Sequence, residues 1–313
     1  MTDPATPAPE PALAAPLSPG RVWLLAIRPQ TLPAAVAPVL VGLGASLGMG
    51  RAFRLDTAIA CLAVALLLQI VANLANDLSD FRKGADTPDR QGPLRVAAAG
   101  LVTPRRLEVA IALVTVLAGL VGLHLVSVGG VVLLGLGGLA IVAALAYTGG
   151  PFPYGYRGLG EVFVFLFFGL VAVAGTAYLQ AGTFERLFLV AAVPVGSLVT
   201  AILVVNNLRD IPTDAAAGKR TLAVMFGESF AKAEFHGLLL LAALVPPVLV
   251  LTGSALIVLL PLMAMGLSLP LMHQVRVVGP GYDRSRLNGV LKGTARLSLV
   301  YGVLFAAGLA LGA

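Results

Sequence analysis

From residue 32 onward the chain is a succession of long apolar runs separated by short polar or glycine-rich stretches. Runs of about 17 to 25 residues with little or no charge are long enough to cross a bilayer as helices. Nine stretches fit: 32–50, 57–75, 107–126, 129–147, 159–180, 187–205, 235–252, 254–273 and 293–313. The breaks at 127–128 and 253 are so short that each flanking pair can also be read as one long helix. The expected fold is an all-α integral membrane bundle of nine transmembrane helices, forming one domain over 21–313. The first 20 residues are rich in Pro and Ala and lack the basic-then-apolar order of a signal peptide. They predict a disordered cytoplasmic tail.

Composition agrees with a membrane bundle. Only 12% of the residues are charged, about half of what a soluble domain carries. The single cysteine, Cys61, excludes an intrachain disulfide, and the three histidines show no metal-ligand spacing. With the N-terminus inside, the tail and the even-numbered loops hold 17 of the 21 Lys and Arg residues. Such an asymmetry follows the positive-inside rule and places the protein in the cell (inner or plasma) membrane with a cytoplasmic N-terminus. The net charge of +6 then reflects cytoplasmic loops and anionic substrates, and calls for no nucleic-acid partner.

Acidic residues are scarce, and six of the 15 fall in two windows. The first, after the second run, is NLANDLSDFRKGADTPDRQGPLR (73–95); the second, after the sixth, is NNLRDIPTDAAAGKRT (206–221). Both lie on the same expected face. Asn73, Asp77 and Asp80 are spaced i, i+4, i+7, one side of a helix end. Asn206, Asp210 and Asp214 follow i, i+4, i+8, with Pro212 expected to loosen or end the helix there. A lone DxxxD would be an ordinary solvated loop. Two matched clusters beside an apolar bundle repel themselves unless a cation gathers them. Oxygen ligands without His or Cys point to a hard ion, Mg²⁺. With Arg82, Lys83, Lys219 and Arg220 alongside, the pattern suits a metal-bound phosphate or diphosphate.

At these residues the chain resembles the UbiA superfamily of membrane prenyltransferases, over essentially all of its length after residue 21. The resemblance implies a nine-helix bundle of UbiA type with a cytoplasm-facing polar cavity that binds Mg²⁺ and an isoprenyl diphosphate. It implies that Asn73, Asp77, Asp80, Asp210 and Asp214 are metal ligands, the four carboxylates being catalytic. Lys83, Lys219, Arg220 and Asn207 would contact the diphosphate. Asp86 and Asp89 match less closely, because Gly84 stands where the common pattern has a third Asp. The stretches at 28–42, 73–87, 100–104, 147–161 and 206–224 are similar to the 1,4-dihydroxy-2-naphthoate prenyltransferases of menaquinone synthesis. Gln30 departs from the Lys of many such proteins.

The Gly-, Pro- and Tyr-rich loop at 147–161 runs into EVFVFLFFG. Aromatic faces stabilise an allylic cation, so Tyr147, Tyr154, Tyr156, Phe163 and Phe167 are candidate walls of a reaction chamber. Aromatics near a membrane boundary also serve as interfacial anchors. Arg28 is placed either to pair with the carboxylate of an aromatic acid or to anchor the chain at the interface.

The resemblance implies transfer of a polyprenyl chain from its diphosphate to 1,4-dihydroxy-2-naphthoate with decarboxylation, in menaquinone biosynthesis. Residue chemistry alone does not separate that acceptor from 4-hydroxybenzoate, homogentisate or a chlorin. A divalent-ion or small-solute transporter is the reading from another class. It would place ionisable groups at mid-membrane depth, where this chain has almost none.

Overall fold

The computed structural model describes residues 17–85 and 91–312. The tail expected at 1–20 therefore lies largely outside the described residues, as do Asp86, Asp89 and Arg90; Leu17 and Ser18 lead directly into a helix that starts at Pro19. The described chain is all-helical, with no strand.

In chain order the helices are α1 (Pro19–Ile27), α2 (Pro33–Gly48), α3 (Leu55–Arg82), α4 (Pro104–Gly129) and α5 (Val132–Ala146). There follow α6 (Gly160–Ala181), α7 (Arg186–Ala216), α8 (Leu222–Leu251), α9 (Leu256–Arg276) and α10 (Leu287–Gly312). Each of the nine expected runs is helical, and the break at 253 does separate helices; the break expected at 127–128 falls instead at 130–131, because α4 runs on to Gly129. Among the described residues seven helices are long and apolar enough to cross a membrane. Taking α1 and α2, bent by 49°, as one broken span makes eight. The 15 residues of α5 reach only about 22 Å, short of the roughly 30 Å apolar layer.

Local chemistry sets the ends. Pro19, Pro33 and Pro104 open their helices, where a missing N–H costs nothing. Thr103 and Thr221 cap α4 and α8 through their hydroxyls. Against expectation, Pro212 does not end α7, which runs on to Ala216. Proline removes the N–H that would bond the carbonyl four residues back. That carbonyl, on Leu208, instead accepts from Arg284 Nη1 at 2.6 Å. Both Asp windows therefore begin inside helices, α3 and α7, rather than in loops.

Helix α7 is the central post, buried along most of its length and flanked by α2, α6, α8 and α10. Small residues let helices approach closely, as in other membrane bundles. Gly169 of α6 meets Gly196 of α7, where an added methyl would sit 2.9 Å from the facing Cα. On the outside, Leu113, Val116, Leu120 and Leu123 of α4 and Leu240, Leu244 and Val248 of α8 are exposed. A lipid-facing surface requires this inversion of a soluble exterior.

Candidate active site

A cavity of about 400 Å³ opens between α2, α3, α5, α6 and α7, within the range of small-molecule sites. One end is polar, with Asn76, Asp80, Arg95, Tyr156, Asn206, Asn207, Asp210, Asp214 and Lys219 in its lining. Its side is aromatic and its depth is apolar, floored by residues such as Val39, Val64, Leu125 and Leu133.

The polar end joins the two windows. Asp80 Oδ2 accepts from Arg95 Nη2 at 2.9 Å, and Asp80 Oδ1 accepts from the Tyr156 hydroxyl at 2.9 Å. Lys219 Nζ stands 3.4 Å from Asp80 and 3.5 Å from Asp214, bridging carboxylates from α3 and α7. Lys83 and Lys219 both lie over the Tyr156 ring, 4.2 and 4.9 Å from its centroid. Desolvation, followed by the neighbouring Lys219, depresses the pKa of the Lys83 ammonium, while Asp80 opposes the shift. Lys83 itself donates to the Thr148 carbonyl and is not part of the cavity lining. Asp210 is gripped bidentately by Arg209, at 2.7 and 2.6 Å. Arg209 is 1% exposed; it also donates to Asn206 and to Asn288, and Asn288 in turn donates to the Gln91 carbonyl. Asn207 lines the cavity and donates to the buried Glu161 at 2.7 Å.

Of the expected site residues, Asp77 and Arg220 stand outside the lining as Lys83 does, and Asn73 lines it with its amide engaged. Asp77 is 0% exposed and absent from the lining. Its two oxygens accept the N–H groups of Val96 and Ala97 at 3.1 Å each, with Arg28 Nη2 at 3.8 Å. It braces the loop that carries Arg95. Asn73 does line the cavity, but its amide donates to Ile27 O and Thr31 Oγ1 and accepts from Gln69. Arg220 has an exposed side chain outside the lining; its backbone N–H donates to the Tyr156 carbonyl.

Asn76, which the sequence reading passed over, lines the cavity as well. Asn76 and Asp80 are spaced i, i+4, as are Asn206 and Asp210, and all four line the cavity. The signal was present in the N-D pair at 76–77, but spacing does not reveal which of two overlapping i, i+4 pairs faces inward. Arg95 was missed because its place depends on tertiary structure, and Arg209, though next to Asp210, because only the fold buries it.

The aromatic wall is a ladder. Tyr147 meets Tyr154 edge-on at 5.4 Å, Tyr154 stacks on Phe163 at 4.2 Å, and Phe163 lies 6.2 Å from Phe167. All four line the cavity. Arg28 also lines it, at the α1–α2 bend, and is the only described non-glycine residue with positive φ, at 56°. Such strain persists where surrounding contacts impose it.

Residues 35–288 match the UbiA prenyltransferase family. The chain belongs to that family. It is 42% identical over 293 residues to the 1,4-dihydroxy-2-naphthoate octaprenyltransferase of Mycobacterium tuberculosis, covering 93% of this chain and 97% of that one. The Escherichia coli protein of the same name is 40% identical over 302 residues, covering 92% and 95%. Among solved structures, the apo UbiA homologue of Aeropyrum pernix superposes with a TM-score of 0.62 at 20% identity, covering 88% of this chain and 96% of that one. The Archaeoglobus fulgidus homologue bound to GPP and Mg²⁺ gives 0.60 at 14% identity, covering 92% and 99%. These structures share the fold. The chain is thus a multi-pass membrane prenyltransferase of the UbiA family.

Among the described residues no three His, Cys, Asp or Glu side chains converge closely enough to cage a metal alone. An Mg²⁺ ion shared with substrate phosphates takes only one or two carboxylates from the protein. The donor set fits such a site: it is all oxygen, and the Lys219 ammonium already sits between Asp80 and Asp214.

Proposed function

We propose that this UbiA-family protein transfers a polyprenyl group from its diphosphate to 1,4-dihydroxy-2-naphthoate, with loss of the carboxyl group as CO₂, giving demethylmenaquinol for menaquinone biosynthesis. The observation that carries the transfer chemistry is the meeting of Asp80, Asp210, Asp214 and Lys219 at one rim of an aromatic-walled, apolar cavity. The acceptor rests on the names of the two relatives at 42% and 40% identity.

Asp80, Asp210 and Asp214, with the amide oxygens of Asn76 and Asn206, would hold Mg²⁺. When bound, the metal supplies positive charge to the diphosphate as its bond to the allylic carbon breaks. Lys219 would orient the departing oxygens, and Lys83, outside the lining, adds positive charge behind the Tyr156 ring. The diphosphate leaves with the bonding electrons. Tyr147, Tyr154, Phe163 and Phe167 turn π-faces and edges to the allylic cation, and the apolar walls keep water from it. The ring carbon bearing the carboxylate forms the new C–C bond. The carboxylate bond then breaks, its electrons restoring aromaticity as CO₂ departs. Arg28 is placed to take the acid group before it leaves.

In this reading the chain crosses the cell membrane nine times, counting the bent α1–α2 pair once and the short α5 once, with the polar end cytoplasmic. The uneven distribution of Lys and Arg supports that orientation. Cysteines placed at Ala217 and at Thr252, in a Cys61→Ala background, should then label from opposite sides of the membrane.

The deciding assay combines purified protein, Mg²⁺, a polyprenyl diphosphate and a panel of aromatic acids. With carboxyl-labelled 1,4-dihydroxy-2-naphthoate, one CO₂ is expected for each diphosphate released. A carboxylated product, or preference for 4-hydroxybenzoate, would overturn the acceptor; activity that survives EDTA would overturn the metal.

A further inference from the structure

The cavity carries a second polar group, on α3 and the α1–α2 bend, that the diphosphate chemistry does not use. Gln69 is 8% exposed and lines the cavity below Asn73 and Asn76. At 1.5 Å per residue it lies about 10 Å along α3 from Asn76 and about 16 Å from Asp80.

Its orientation follows from its neighbours. The Thr31 hydroxyl has one proton, which it donates to the Arg28 carbonyl at 2.9 Å. Thr31 Oγ1 can therefore only accept from the two amides beside it. Asn73 must present Nδ2 to the Ile27 carbonyl, 2.7 Å away, and the same nitrogen reaches Thr31 Oγ1 at 2.9 Å. Asn73 Oδ1 is then an acceptor, and Gln69 must turn Nε2 toward it, at 3.4 Å, and toward Thr31 Oγ1, at 3.2 Å. A flipped Gln69 would set oxygen against two acceptors. Both Nε2 protons are engaged. Oε1 takes no hydrogen bond from any described residue and is not shut away from the cavity space.

We infer that Gln69 Oε1 accepts a hydrogen bond from a ring hydroxyl of the aromatic acceptor, making Gln69 a catalytic residue that reads the phenol. This rests on the proposed transfer to a hydroxylated aromatic acid. A carbonyl oxygen facing an occupied cavity, where substrate displaces water, demands a donor, and the other substrate groups offer none. An ionised diphosphate and a carboxylate only accept, and the isoprenoid tail is apolar. The hydroxyl proton stays on its oxygen, and the bond draws it toward Gln69. More electron density is left on the ring for attack on the allylic carbon. Asn73, Thr31 and the Arg28 carbonyl are positioning groups that keep Oε1 facing inward. The strained backbone of Arg28 belongs to this strut.

Equilibrium binding tests the assignment without involving ring nucleophilicity. Calorimetry on the detergent-solubilised full chain would compare 1,4-dihydroxy-2-naphthoate with 1-hydroxy- and 4-hydroxy-2-naphthoate, each lacking one hydroxyl. The native chain should bind one of the two analogues about tenfold more weakly than the parent acid, the worth of one buried hydrogen bond. In Gln69→Leu that ratio should fall to about two, with the KM for the polyprenyl diphosphate and the Mg²⁺ half-saturation unchanged. Thr31→Val, which frees the amide to rotate, should move the ratio the same way by less. It serves as the second variant if Gln69→Leu does not fold. A ratio that stays at its native value in both variants overturns the inference while leaving naphthoate prenylation intact. A native chain that prenylates no aromatic acid overturns the proposed function, and this inference with it.

Discussion

The two Asp windows share a spacing, Asn-x-x-x-Asp at 76–80 and 206–210, yet their carboxylates are supported in opposite ways. Asp80 is held by groups from three distant segments: Arg95 of the 91–102 loop, Tyr156 of the 154–157 turn, and Lys219 beyond the end of α7. Asp210 is held by the residue beside it, Arg209, itself fixed by Asn206 one turn back and by Asn288. The first window is assembled by tertiary structure, the second largely by its own helix. A disturbance far away in sequence should therefore reach Asp80 and leave Asp210 in place.

The largest effects should fall on both windows equally and define the comparison. Asp80→Asn and Asp214→Asn each remove an anionic group from the bridge at Lys219, and turnover should drop by about 10²-fold or more. The Mg²⁺ concentration for half-activity should rise in both. If only one variant responds, the windows do not share a site.

Arg209→Met tests the locally built window. It leaves Asp210 charged, buried and without its bidentate partner. Breaking a buried pair costs about 3 to 5 kcal/mol, so the variant should unfold at clearly lower temperature as well as lose activity. A native-like melting curve would show that Asp210 finds another partner.

Asp77→Asn tests the window built at a distance. One of the two loop N–H groups loses its acceptor, the 91–102 loop loosens, and Arg95 shifts from Asp80. An activity loss of about tenfold is expected, on the scale of one or two buried hydrogen bonds, with Mg²⁺ half-saturation near the native value. A metal dependence displaced as far as in Asp80→Asn would make Asp77 a ligand after all.

The smallest effect sharpens the contrast inside α7. Arg284→Ala removes the donor that replaces the missing Pro212 N–H, leaving the Leu208 carbonyl open. A cost of about 1 to 2 kcal/mol is expected, together with faster amide exchange after residue 212. Asp80 should not sense it. Unchanged exchange at 213–216 would mean that packing alone carries the helix past the proline.

The sequence by itself determined the membrane class, the all-helical character of the apolar runs, the family and the clustering of acidic residues in two windows. These follow from composition, run length and residue spacing, which the bilayer and helical geometry read directly. It also singled out Tyr147, Tyr154, Phe163 and Phe167, which the structure aligns in one ladder. Only the tertiary structure decided which residues face the cavity. Asn73–Asp77 and Asn76–Asp80 have the same spacing, yet a rotation of about 60° around α3 puts Asp80 in the cavity lining and leaves Asp77 to the N–H groups of Val96 and Ala97. The continuation of α7 past Pro212 was likewise invisible, because the donor that permits it lies 76 residues away in Arg284. Spacing along a chain fixes what one helix can present. Which side is used depends on partners that meet only after folding.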